Sequence, residues 1–66
     1  MDIILNGEPT DLPGPITVAE LIKQLDLTGK RLAIELNLEI IPRSQLSEQI
    51  LAAGDRVEIV QAIGGG

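Results

Sequence analysis

The chain has 66 residues, no cysteine, no histidine and no aromatic residue, and its ten acids against five bases give a formal net charge of -5. That length is one domain at most, near the lower bound for independent folding, where a chain of roughly 60 residues buries only about 60% of its unfolded surface. The composition excludes disulfides and the usual structural zinc ligands, argues against nucleic acid because phosphates repel an acidic surface, and removes the commonest general base and the strongest nucleophile of enzymes.

The first segment, "MDIILNGEPTDLP", reads as a hairpin. Met1, Ile3 and Leu5 alternate with Asp2, Ile4 and Asn6, and Asn6-Gly7 suits a type I′ turn, which needs positive φ at both central positions. Pro9 cannot donate to a ladder, so the return strand is expected at a sheet edge. Pro13-Gly14-Pro15 then breaks the chain direction.

"ITVAELIKQLDLTGK" predicts an amphipathic helix. Thr17 is the N-cap, with Glu20 three residues later completing a capping box and Ile16 placed to staple onto Leu21. Val18, Leu21, Ile22 and Leu25 form one apolar stripe, and Glu20, Lys23 and Gln24 take the wet side. Gly29 is the expected C-terminal stop.

A strand follows at "RLAIELN", with Leu32, Ile34 and Leu36 on one face and Ala33, Glu35 and Asn37 on the other. "LEIIPRSQ" holds a short strand ended by Pro42, and "SQLSEQILAAGD" is expected to carry one helical turn capped by Ser44 or Ser47. Gly54-Asp55 is a turn, and "RVEIVQAI" is the last strand, with Val57 and Ile59 facing one way and Glu58, Val60 and Ala62 the other. One helix covers one face of a sheet, so the order predicts an α+β domain with a mixed sheet and one exposed face.

The final glycines are the candidate working group. A terminal carboxylate becomes a good acyl donor only when activated, for example as an acyl adenylate. A tail without Cβ atoms threads a narrow channel that larger side chains would block, and three extended residues reach about 10 Å. On this reading the carboxylate of Gly66 is modified, Ile63, Gly64 and Gly65 are read by the partner, and the body of the domain docks outside. Ile4, Val60 and Ala62 point away from the helix and are the candidate docking face. The blander reading of the same tail is a solvated, frayed terminus.

The remaining charges have modest readings. Asp2, Glu35 and Glu58 form a solvated face, and Arg43 is an anion ligand or a surface cation. A domain this small is expected to lack room for a pocket of about 300 Å³ or more, so no enzymatic activity, bound metal or bound cofactor is expected. No apolar run reaches the ~20 residues of a membrane span, and "MDIILNGE" lacks the pattern of a signal peptide. No membrane partner is expected, and the expected compartment is the cytoplasm.

Taken together, "LNGEP", "TVAELI", "AIELNLEIIPRSQ" and "GDRVEIVQAIGGG" resemble the sulfur carrier proteins of thiamine (thiazole) biosynthesis, a ubiquitin-like β-grasp family, over essentially the whole chain. The resemblance implies a β-grasp domain over residues 1–62 and a flexible glycine tail over 63–66. It implies first and last strands lying parallel in the middle of the sheet, with the helix packed across one face. It also implies that an adenylating (E1-like) enzyme uses ATP to activate Gly66, that a persulfide on another protein supplies sulfur, and that thiazole synthase consumes the resulting thiocarboxylate. Gly65 and Gly66 match the family's terminal pair, Gly64 is an additional glycine, and Leu38 replaces a small or polar residue after Asn37. Two alternatives share the fold: a carrier like the small subunit of molybdopterin synthase, and a non-catalytic interaction module with an inert tail.

Overall fold

The computed structural model describes residues 1–61. Asp2–Leu5 (β1) and Glu8–Asp11 (β2) form an antiparallel hairpin, followed by a helix over Val18–Gln24 (α1). Leu32–Leu36 (β3) and Glu39–Ile40 (β4) form a second hairpin, Arg43–Gln45 make a 3-10 turn, and Arg56–Gln61 is β5. The sheet order is β2-β1-β5-β3-β4, with β5 parallel to β1 and antiparallel to β3. The two hairpins therefore join into one sheet only through β5. The central parallel pair is the arrangement that the family resemblance implies. Pro9 lies on edge strand β2, where its missing N–H costs no interior ladder bond.

Both hairpin turns hold two residues at positive φ. In the first, Asn6 has φ 49° and Gly7 has φ 82°, the type I′ pattern. In the second, Asn37 has φ 51° and Leu38 has φ 71°. Leu38 is thus an aliphatic residue in the left-handed region, which disfavours any residue with a Cβ.

The N-terminus of α1 leaves no orphan donor. Thr17 and Glu20 form the reciprocal capping box, with Oγ1 of Thr17 accepting from the Glu20 N–H at 3.1 Å and Oε1 of Glu20 accepting from the Thr17 N–H at 2.9 Å. The Val18 and Ala19 N–H groups donate to the carbonyls of Gln49 and Leu46, each at 2.9 Å, so the loop before β5 completes the cap. Val18, Leu21 and Ile22 are buried, and Leu25, the fourth residue of the predicted stripe, is exposed at the C-cap.

The helix ends earlier than Gly29. Asp26 takes the left-handed conformation at φ 61°. The Asp26 N–H donates to the Lys23 carbonyl and the Leu27 N–H to the Ile22 carbonyl, which is a Schellman closure with aspartate where glycine is usual. Gly29, at φ 84°, serves the following loop instead. The predicted serine caps are also displaced. Pro42 precedes the 3-10 turn and no side chain caps it, because the turn starts at Arg43, ahead of both serines.

The core lies between α1 and one face of the sheet. Ile3, Val57, Ile34 and Ile59 from the strands meet Val18 and Leu21 from the helix, and Leu12 and Leu51 close the ends. Each such aliphatic side chain contributes about 1.5–3 kcal/mol by leaving water. No side-chain polar atom is buried without a partner among the described residues.

Candidate functional site

Strand β5 is the last described element of the chain. It is held from both sides: Val57 pairs with Leu5 of β1 and with Leu36 of β3, and Gln61 lies opposite Leu32. Val57 and Ile59 are buried beneath it. Two turn residues add side-chain bonds to the same strand. Asn6 Oδ1 accepts from the Ile59 N–H at 2.8 Å, and Asn37 Oδ1 accepts from the Arg56 N–H at 2.9 Å. Asn37 Nδ2 also donates to Asp55 Oδ1 at 3.1 Å, which ties the turn before β5 to the β3–β4 turn. Gln61, the last described residue, thus lies on the central strand of the sheet rather than on an edge.

The site residues Ile63, Gly64, Gly65 and Gly66, the docking residue Ala62 and the boundary of the tail at 63 lie outside the described residues. Ile4 and Val60 are within them, and both are on the sheet face opposite α1. They do not adjoin. Ile4 is level with Arg56, whereas Val60 is four residues further along β5, about 13 Å away at the usual rise of a strand. The strand between them carries Glu58, which sits directly opposite Glu35 of β3, itself opposite Ile40 of β4. Val60 is opposite Ala33.

The open face therefore carries an acidic pair with apolar neighbours, and Arg56 stands beside Ile4 at its far end. Val60 is 62% exposed and Ile40 is 77% exposed. The face of Ala33 was legible in the sequence, but its place directly opposite Val60 and the place of Ile40 on the same face come only from the strand register. The pair "II" at positions 40 and 41 held a partial signal: in a strand, one of two adjacent isoleucines must face away from the core. Like charges directly opposite one another destabilise a strand pair, so Glu35 and Glu58 are better accommodated against a cation than against water alone.

The expectation about pockets is overturned. A cleft of about 530 Å³ opens beside the C-terminal end of α1, lined by Ile22, Leu27, Lys30, Leu32, Arg43 and Leu46 among others. It is an open groove between a loop and the helix, which a small domain forms more easily than an enclosed cavity. Among the described residues no cluster of three or more carboxylates is placed to hold a metal ion. No helix among them is long and apolar enough to cross a membrane.

Comparison with known proteins bears directly on this architecture. Residues 3–66 match the model of the ThiS family. The sulfur carrier protein ThiS of Escherichia coli (strain K12) is 35% identical over 66 residues, covering both chains completely. A thiazole synthase of Paramagnetospirillum magneticum is 38% identical over the whole of this chain, which spans only 20% of that protein's length. The crystal structure of the thiamine biosynthesis protein ThiS from Geobacter metallireducens superposes with a TM-score of 0.86 at 30% identity, over the full length of both chains. A mixed five-stranded sheet crossed by one helix, with the last strand parallel to the first, is the β-grasp of that structure. The chain belongs to the ThiS family of small sulfur carriers, which are not themselves catalysts.

Proposed function

We propose that this chain carries sulfur on its C-terminal carboxylate for formation of a thiazole ring. The observation that carries this reading is the ThiS-family match, which runs to Gly66 through the terminal glycines. The Gly66 carboxylate attacks the α-phosphorus of ATP in an adenylating enzyme, and pyrophosphate leaves. The terminal sulfur of a persulfide on another protein then attacks the acyl carbon, and AMP leaves. A thiol cleaves the resulting acyl disulfide, releasing the thiocarboxylate and a disulfide. ATP is the enzyme's substrate, and the carrier itself holds no cofactor.

Thiazole synthase is the consumer in this scheme. The matched proteins of that name from Paramagnetospirillum magneticum and Magnetococcus marinus contain a region like this chain within a much longer one. Such a tether raises the effective concentration of the two parts, which is useful where they must meet. The docking surface assigned to these encounters is the open sheet face around Val60, Ala33 and Ile40, with Ile4 at its margin. A partner cation facing Glu35 and Glu58 suits the chemistry of that surface.

The test is intact-mass analysis after incubation with ATP, the adenylating enzyme and a sulfur source. Replacement of one oxygen by sulfur is expected, and fragmentation must place it on Gly66, because oxidation of Met1 gives nearly the same mass. Deleting Gly65 and Gly66 is expected to abolish conversion while leaving the fold intact. Equal conversion of the truncated chain would refute the reading.

A further inference from the structure

The cleft beside α1 combines an apolar floor with two cations. Ile22 and Leu27 come from the helix and its closing turn, Leu32 from β3 and Leu46 from the segment after the 3-10 turn. Lys30 and Arg43 line the same cleft from two separate segments. Neither forms an ion pair among the described residues, where the single pair joins the Met1 ammonium to Asp11. Two of only five bases in a chain of net charge -5 thus share one concave surface. In so acidic a chain, two cations on one cleft, with no carboxylate partner among the described residues, favour an anionic occupant.

Position adds a second argument. Leu32 lines the cleft and is opposite Gln61, the last described residue of β5. The cleft lies on the helix side of the sheet, whereas Val60, Ala33 and Ile40 are on the other side. An occupant of the cleft would lie against Leu32, the partner of Gln61, without covering the open face.

From this charge complementarity we infer that the cleft binds an acidic peptide segment of a partner protein, with an aliphatic side chain on the floor and carboxylates on Lys30 and Arg43. This goes beyond the sulfur-carrier reading and does not depend on it. Aliphatic anchoring supplies the contact area, and the paired charges set orientation and salt dependence.

The experiment is an NMR titration of the full chain, following backbone amides, with the blocked peptide acetyl-Glu-Leu-Leu-Asp-Glu-amide. Saturable shifts are expected at residues 27–32 and 43–46, weakening as sodium chloride rises. Lys30→Glu combined with Arg43→Glu is expected to weaken binding at least about tenfold, as is replacing the peptide's leucines by glycine or its acids by their amides. The milder pair Lys30→Gln and Arg43→Gln is expected to give an intermediate loss, so a misfolded reversal variant does not decide the matter. The proposal is overturned by no saturable binding, by shifts on the open face instead, or by either control peptide binding as tightly. It is also overturned if octanoate binds as tightly as the peptide, which marks a small-molecule site. If removal of residues 62–66 shifts the same amides without any peptide, the occupant is the chain's own terminus and the proposal fails. None of these readouts involves the thiocarboxylate, so they stand apart from the mass test above.

Discussion

The side-chain amide of Asn6 makes both hydrogen bonds of a strand neighbour to Ile59, accepting from its N–H at 2.8 Å and donating to its carbonyl at 3.3 Å, across 53 residues of sequence. It continues the bonding of β1 to β5 where the backbone of β1 has already turned away. Ile59 is buried and both bonds are part-buried, so water replaces them only in part when the amide is removed. Asn6→Gly keeps the positive φ and removes the clamp. The expected loss is about 1–3 kcal/mol in urea denaturation, and Asn6→Ala should lose more because it also strains the turn.

The carboxyl of Glu20 is held below its ordinary value of 4.5, mainly by the hydrogen bond from the Thr17 backbone and then by that from the Thr17 hydroxyl. A lowered folded-state pKa stabilises the protein above the unfolded value, and that contribution is lost as pH falls through the folded one. Wild type is therefore expected to lose part of its stability advantage over Glu20→Gln between neutral pH and the acid side of 4.5. Carboxyl carbon shifts of Glu20, followed by NMR, should give a midpoint below that value. A midpoint at or above it contradicts the capping geometry.

The capping box was legible in the sequence because its two partners are three residues apart. The end of the same helix was not. The closure at Asp26 uses a residue that tolerates positive φ less well than glycine and places a negative charge where the helix dipole disfavours one. Gly29 was the stronger textual signal, yet it lies beyond the closure. Asp26→Gly is expected to stabilise the fold by about 0.5–1 kcal/mol, measured by thermal or urea unfolding. Leu38→Gly should gain about 1 kcal/mol for the same reason, since Leu38 is 77% exposed and has little packing to lose.

Glu35 and Glu58 face each other across β3 and β5. Neutralising either one, as Glu35→Gln or Glu58→Gln, is expected to raise stability by about 0.2–1 kcal/mol at low salt and by less at high salt. The two gains should not add, because each removes the same repulsion. Urea unfolding of both single variants and the double variant at two ionic strengths checks this. The alternation of β3 and of β5 could each be read separately from the sequence, but the opposition of these two acids could not. It depends on a register fixed between residues 23 positions apart in the chain and on a neighbour relation that periodicity does not encode. The same holds for Ile4 and Val60: their common face was legible, and their separation along the sheet was not.

The position of β5 has a consequence for biosynthesis. The first hairpin and the second are bridged only by β5, the last strand in sequence, so a nascent chain cannot assemble its sheet piecemeal. Any polypeptide broken off before that strand leaves two unsupported hairpins, which are marginal alone in water. A copy that lacks β5 therefore has no route to the finished sheet, whatever the strength of its separate hairpins.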